Sequence, residues 1–127
     1  MDYVSQKGIS SYVEFVGVVK DVDRYLAQSK IFAFVSTSEG FPNALGEAVL
    51  FPTASISYKC PAGPEDIIRD DENGFLVPLG KVEEYATKLK MLMESEELRT
   101  RFEMNAVSDR SKYSMENIGE SFFNFMF

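Results

Sequence analysis

The sequence predicts an α/β fold in which a mostly parallel sheet is flanked by helices. Short apolar runs rich in β-branched and aromatic residues alternate with segments of helical spacing, and turns with glycine or proline separate them. Alternation of this kind produces βαβ units, whose strands are parallel and whose crossovers are right-handed. Because no internal repeat or linker interrupts the pattern, residues 1–127 are interpreted as a single domain.

The predicted strands are distinguished by their apolar composition. The run 30–37 is continuously apolar in its middle, which is typical of a strand buried on both faces of a parallel sheet. The run 13–16 leads into Gly17, and Pro78 stops the last strand. The four predicted strands cover residues 13–16, 30–37, 54–58 and 75–77. Since a sheet typically has about 5–6 strands, we expect the chain to begin midway through its native domain.

The predicted helices are distinguished by apolar residues spaced three and four apart, as Val22, Tyr25 and Leu26 are. Asn43 is predicted to cap the N-terminus of a helix over 44–51. The predicted helices cover residues 21–29, 44–51, 65–69, 82–93, 96–107 and 115–125.

Composition excludes several classes of function for the chain acting alone. With 13 basic and 20 acidic residues its formal charge is −7, so it lacks the basic stripe that nucleic acids or anionic membranes require. It has no histidine, which removes Ser-His-Asp and Cys-His catalysis and imidazole metal sites. Cys60 is the single cysteine, and no apolar run reaches the ~20 residues of a membrane span. These features favour a cytoplasmic protein.

The segment 38–45 follows the second predicted strand, at the edge of a parallel sheet where ligands bind. Gly40 permits close approach of a ligand to the backbone, and Pro42 restricts Phe41. With Asn43 as the cap, the N–H groups of the next two residues, Ala44 and Leu45, would face outward at the positive end of the helix dipole. A phosphate could bind there.

Two glutamates flank this bend. Glu47 would occupy the fourth helical position, one place too late for a capping box, so its carboxylate is free to accept hydrogen bonds from adjacent ribose hydroxyls. Glu39 lies on the other side of the bend, and together the two acids could bracket a sugar nucleotide. An ordinary loop followed by a glutamate that suits the helix dipole explains the same residues.

The segment 38–48, SEGFPNALGEA, resembles the signature of the family 4 glycosyltransferases, whose fold is called GT-B. Three other segments agree in order: VEFVG at 13–17, CPAGPEDII at 60–68 and NGFLV at 73–77. The resemblance covers residues 8–106. It implies an enzyme of two Rossmann-like domains with the active site between them, and it identifies this chain as part of the C-terminal, donor-binding domain.

The resemblance implies a role for each matched position, with Glu39 as the catalytic residue facing the donor sugar and Glu47 holding the ribose. The other implied donor-binding residues are Gly40, Phe41, Pro42 and Asn43 at the sugar hydroxyls, Ala44 and Leu45 at the pyrophosphate, and Gly17 and Val18 near the base. The chain departs from the family pattern at Gly46, Pro52 and Ala54, which affects the local backbone and not the glutamates.

The implied reaction moves a sugar from a nucleotide diphosphate sugar, here a UDP-sugar, to a glycan or lipid-linked acceptor with retention of configuration. It needs no metal and no other cofactor. The basic residues that stabilise the leaving phosphate, and the acceptor-binding domain, precede the matched region in the family, so the chain alone is expected to be inactive. Residues 109–127 are expected to form a helix that packs on that domain, through which the cytoplasmic protein could lie at the inner membrane face. The exposed aromatic residues at this end predict self-association.

Two other functions remain open at this point. A non-catalytic Rossmann-like or flavodoxin-like binding domain would share the bend by chance, and a degenerate regulatory half would bind nucleotide without activity. Cys60 is interpreted as a buried or loop thiol, since no histidine can activate it, and residues 70–74 as a solvated turn. Gly63 either approaches the donor or makes a turn.

Overall fold

The computed structural model describes residues 2–61 and 63–110, and the C-terminal helix and aromatic surface predicted from the sequence lie outside these residues. A short 3-10 helix, Ser10–Tyr12, follows the first α-helix. The regular elements are α1 (Asp2–Gln6), α2 (Val22–Gln28), β1 (Ile31–Phe34), α3 (Asn43–Ala48), β2 (Ala54–Lys59), α4 (Pro64–Ile67), β3 (Gly74–Pro78), α5 (Val82–Glu94) and α6 (Glu96–Asp109).

The three strands of the described residues form one parallel sheet in the order β1-β2-β3. Ile31 pairs with Ala54 across the first pair of strands, and Ser55 pairs with Gly74 across the second. The central strand β2 is buried from its first residue until Lys59. The helix-separated parallel strands confirm the predicted α/β class, because parallel neighbours require crossover connections.

Side chains of the sheet alternate between two faces, and each face is covered by helices. On one face lies a buried cluster of strand residues with α5 and α6, namely Ala54, Ile56, Tyr58, Phe75, Val77, Tyr85, Leu92 and Phe102. On the other lies a cluster around α3 and α4, namely Leu45, Val49, Ile67 and Ile68 with the partly buried Phe32, Phe34 and Leu76. The molecule is thus three-layered, and α3 and α4 share the face opposite α5.

The predicted strand over 13–16 is wrong. This segment is irregular and exposed, and its Phe15 side chain is 58% exposed. A strand exists only through hydrogen bonds to a neighbour, and no described strand pairs with this segment. The prediction for 30–37 is also too long: β1 ends at Phe34 and is only partly buried, because it lies at an edge of the sheet.

Tyr85 of α5 ties the two strands that lead to the candidate site. Its hydroxyl oxygen lies 3.3 Å from the Phe34 carbonyl oxygen at the end of β1 and 3.2 Å from that of Ile56 in the middle of β2, so one proton is shared between the two strands. Its ring packs on Tyr58 at 4.6 Å between centroids. Burial, followed by electrostatic interaction with Tyr58, raises the pKa of Tyr85 from 10.0 to about 12.

Alkaline pH is therefore expected to destabilise the fold through Tyr85. Because its folded pKa is raised, its contribution is fully present below pH 10 and is lost as pH rises towards 12. We expect Tyr85→Phe to be about 1 kcal/mol less stable than the parent at neutral pH, through the lost hydrogen bonds. The gap should close above pH 10, which urea denaturation of both proteins across this range would measure. Parallel stability profiles would contradict the assignment.

Candidate functional site

The site predicted from the sequence lies where the chain leaves the carboxyl end of β1. The strand ends at Phe34, and a loop of eight residues leads to α3, which begins at Asn43. The neighbouring strand β2 ends at Lys59, and the loop that follows it leads to α4. Ligands of open parallel sheets bind at this edge, so the fold places the 38–48 segment where a ligand site is expected.

The bend in this segment is an inverse γ-turn centred on Pro42. The Asn43 N–H donates to the Phe41 carbonyl oxygen at 2.9 Å, and Pro42 has φ −81° and ψ 72°. Pro42 is also the N-cap residue of α3, and its carbonyl accepts from the Gly46 N–H at 3.0 Å. The proline ring supplies the fixed φ that this tight turn needs.

The prediction that Asn43 caps the helix is wrong. Asn43 is the first helical residue, and the cap residue has no side-chain hydrogen bond because it is a proline. The turn starts the helix one residue earlier than predicted, so Glu47 occupies the fifth helical position. The helix is also shorter than predicted, since it ends at Ala48.

Most residues of the predicted site are exposed enough to contact a ligand, whereas a few are buried and pack against the core. Gly40, Phe41, Asn43, Ala44 and Glu47 are exposed, and Glu39 is partly exposed. Within residues 2–61 and 63–110, neither glutamate carboxylate makes a hydrogen bond or an ion pair, so the oxygens of both are free to accept from a ligand.

Leu45 differs from its neighbours. Its exposed fraction is 0%, and it packs with Val49, Ile67 and Ile68 between α3 and α4. Its side chain is thus directed into the core, while its N–H, like that of Ala44, has no acceptor among the described residues. Ala44 is the exposed member of the predicted amide pair. Its N–H has no acceptor in the described part of the chain, as expected in a first helical turn.

The loop after β2 packs against the bend. Gly63 is buried and is the N-cap residue of α4, with Pro64 as the first helical residue. It lies directly against the ring of Pro42. Spacing along the sequence could not reveal this contact, since it joins two loops that follow different strands.

The structure does not bring every predicted residue to the bend. Gly17 is exposed with φ +62°, and the Val18 side chain is completely exposed, so it contacts none of the other described residues. Cys60 is buried and free at the end of β2, as the sequence predicted. Among the described residues there is no cluster of three or more groups that could hold a metal ion.

Comparison with known proteins decides the family. Residues 2–109 match the family model described as Glycosyl transferases group 1. The chain belongs to this family. AmsD of Erwinia amylovora, an amylovoran biosynthesis glycosyltransferase, is 30% identical over 118 residues, which is 93% of this chain and 33% of AmsD. A second relative is an α-1,4-N-acetyl-D-galactosaminyltransferase of Campylobacter jejuni, whose full name includes a PP-undecaprenol-linked saccharide. It is 28% identical over 114 residues, which is 90% of this chain and 32% of the relative.

Solved structures support the same family. The C-terminal domain of the group 1 glycosyl transferase LpcC from Francisella tularensis superposes with a TM-score of 0.75 and 32% identity, covering 90% of this chain and 60% of that one. A TarM variant from S. aureus, in complex with fondaparinux, α-GlcNAc-glycerol and UDP, gives a TM-score of 0.84 and 27% identity over 97% of this chain and 25% of TarM. The fold is therefore of the GT-B glycosyltransferase type.

The chain spans about a third of the length of the curated relatives described above. A search of the described helices finds none with the length and apolar character needed to cross a bilayer.

Proposed function

We propose that this chain provides the donor-binding part of a retaining, family 4 glycosyltransferase. The enzyme would transfer a sugar from a UDP-sugar to a glycan or lipid-linked acceptor. Membership of the group 1 family supports the transferase role, and the UDP in the related TarM structure supports the choice of nucleotide. The undecaprenol-linked saccharide in the name of the Campylobacter relative supports the acceptor class.

The observation that carries this proposal is the position of the 38–48 segment. It begins just beyond the carboxyl end of β1, and it presents two exposed or partly exposed carboxylates on either side of a proline-centred bend. A carboxylate suits a pair of adjacent hydroxyls, because its two oxygens accept two hydrogen bonds. A nucleotide sugar offers such pairs on both its ribose and its transferred sugar.

Each group at the bend has a proposed role. Glu39 faces the donor sugar and acts as the catalytic residue, while Glu47 accepts hydrogen bonds from the ribose hydroxyls. The exposed backbone of Gly40, Phe41 and Asn43 contacts the sugar, and the unpaired Ala44 amide contacts the diphosphate. The side chains of Pro42 and Leu45 are buried and shape the site by packing, whereas the unpaired Leu45 N–H is the second amide proposed for the diphosphate.

The remaining features of the proposal concern the base and the reaction. The exposed segment at Gly17 and Val18 would lie near the base in the assembled enzyme. Attack of the acceptor on the face from which the diphosphate leaves would retain the anomeric configuration. The diphosphate itself would take up the acceptor's proton. Helix amides and basic side chains would neutralise the charge of the leaving diphosphate, so the reaction needs no metal and no other cofactor.

Titration of the 127-residue chain with UDP tests the proposal through Glu47. We expect UDP to bind, and Glu47→Ala to weaken the affinity about tenfold or more, since hydrogen bonds to a charged group contribute about 1.5–3 kcal/mol. Isothermal titration calorimetry measures both constants directly.

Glu97→Ala is the matched control. Glu97 is an exposed glutamate on α6, so the substitution removes the same charge from a helix away from the bend. We expect it to leave UDP affinity unchanged. Equal losses in the two variants would show a general charge effect, and no heat with any nucleotide from the folded chain would favour a non-catalytic interaction domain.

A further inference from the structure

The N-cap residues of α3 and α4, Pro42 and Gly63, are in direct contact. A Cβ atom on Gly63 would lie 2.2 Å from Cδ and 2.9 Å from Cγ of Pro42. Carbon atoms pack best at about 3.5–4.0 Å, so this space admits no side chain at all. Both residues are buried. The bare face of the glycine therefore forms part of the wall against which the proline ring rests.

Gly63 is itself held firmly from the side of α4. Its φ is +123°, which favours glycine, and its carbonyl oxygen accepts from the Asp66 N–H at 3.0 Å in the first turn of the helix. The next residue, Pro64, fixes the start of α4 and is buried. The backbone at Gly63 is thus held in place by α4. If a side chain is added to Gly63, Pro42 is the residue that must move.

Pro42 in turn sets the geometry of the bend. It is the centre of the inverse γ-turn, and its carbonyl oxygen bonds to the Gly46 N–H in the first turn of α3. A shift of the Pro42 ring would therefore move the backbone from Gly40 to Asn43, together with the exposed Ala44 amide. The contact couples the loop after β2 to the segment that carries both glutamates.

We propose that Gly63 is a positioning residue for donor binding, which holds the bend in its binding geometry by packing against the ring of Pro42. The inference rests on the proposed function, because the bend is the segment assigned there to the sugar and the diphosphate. Gly63 acts through Pro42 and needs no contact of its own with the donor.

The test is the UDP affinity of Gly63→Ala in the 127-residue chain, measured by calorimetry at a temperature where circular dichroism shows the variant to be folded. A displacement of about 1 Å at a binding group can cost up to about a hundredfold in function. We expect the affinity for UDP to fall about tenfold. An unchanged affinity in the folded variant would overturn the proposal.

Further variants separate positioning from backbone strain. Gly80 also has a positive φ, +84°, but no atom lies within 4 Å of a Cβ placed there, so Gly80→Ala carries the strain without the clash. It should lose stability and keep its UDP affinity. Pro42→Ala removes the ring atoms Cγ and Cδ, so Gly63→Ala should cost much less UDP affinity when it is added to Pro42→Ala than when it is added to the parent. An equal cost in both backgrounds would assign the loss to strain and overturn the proposal.

Amide resonances of the bend distinguish failure of this inference from failure of the proposed function. If the unsubstituted chain gives no heat with UDP, the proposed function fails, and the resonances of Phe41, Asn43 and Ala44 decide the positioning question by themselves. Shifts that Gly63→Ala causes in the parent but not in Pro42→Ala support it. Resonances that do not move in Gly63→Ala overturn it.

Discussion

Replacing Phe102 with alanine is expected to lower the free energy of unfolding by about 3–5 kcal/mol, which is typical of a large aromatic residue removed from a packed core. Phe102 is 0% exposed and meets the Phe75 ring edge to face, with 4.9 Å between centroids and an interplanar angle of 87°. It is the residue by which α6 enters the cluster with Ile56 and Leu92. Truncation would leave a cavity that the rigid sheet cannot fill by collapse.

Urea denaturation measures this loss as a lower midpoint with an unchanged slope. Met104→Ala is the control, because Met104 lies on the same helix and is 68% exposed, and it should stay within about 0.5 kcal/mol of the parent. UDP affinity of the folded Phe102→Ala protein should be unchanged, since α3 and its bend lie on the opposite face of the sheet. A loss below 1 kcal/mol, or an equal loss in both variants, would show that Phe102 does not hold α6 to the sheet.

The elements that the sequence predicted well are those whose buried positions follow from the spacing of their own apolar residues. The helix α5 carries apolar residues at helical spacing, the buried Phe102 and Ala106 of α6 lie four residues apart, and β2 alternates apolar residues with serines that the fold buries almost completely. Their extents differ from prediction by two residues or fewer. For such segments, the periodicity of the sequence already contains the information that packing later uses.

The predicted strand over 13–16 failed for a reason that its composition could not reveal. A β-branched, aromatic run is compatible with a strand, but its backbone groups need a partner, and none of the described strands supplies one. In the usual order of a doubly wound sheet, 3-2-1-4-5-6, the third strand lies far from the fourth. If β1, β2 and β3 are the last three strands of that order, the segment 13–16 would be the third, separated from β1 by two strands.

The candidate site was predictable in position but not in detail. The sequence of the 38–48 segment predicted two glutamates and a glycine-proline bend just beyond the end of a strand, and the structure has this segment between the end of β1 and α3. It could not be foreseen that the Leu45 side chain turns inward, because this depends on Ile67 and Ile68 at the end of α4, which comes later in the chain. The contact between Pro42 and Gly63 is of the same kind.

These tertiary contacts suggest how the fold serves the proposed site. The exposed groups of the bend belong to residues with little packing of their own, whereas Pro42, Leu45 and Gly63 lie beneath them and are buried. Tyr85 joins the end of β1 to the middle of β2 from the other face. Binding groups held by such a rigid base lose little freedom when a ligand arrives, which favours affinity.

The turn between α4 and β3 supplies the second large expected effect. Residues 70–72 are exposed, as predicted for a solvated turn, but the turn ends on a buried side chain. Asn73 is only 3% exposed. Its side-chain oxygen accepts from the Arg69 N–H at 2.7 Å, and its amide nitrogen donates to the Ile67 carbonyl at 3.2 Å and to Asp109 at 3.2 Å. One side chain thereby joins the end of α4, the turn and the end of α6.

We expect Asn73→Ala to lower the free energy of unfolding by about 3 kcal/mol. The substitution leaves the Ile67 carbonyl without its partner in a buried place and the Arg69 N–H without its partner in a partly buried one. A buried group left unpaired costs about 1–3 kcal/mol. Asn105→Ala is the matched control, since Asn105 of α6 also donates to this turn, at 2.6 Å from the Glu72 carbonyl oxygen, but on the surface. It should cost less than about 1 kcal/mol in the same denaturation experiment. Equal costs for the two asparagines would contradict the expectation that the buried hydrogen bonds of Asn73 stabilise the fold more than the surface hydrogen bond of Asn105.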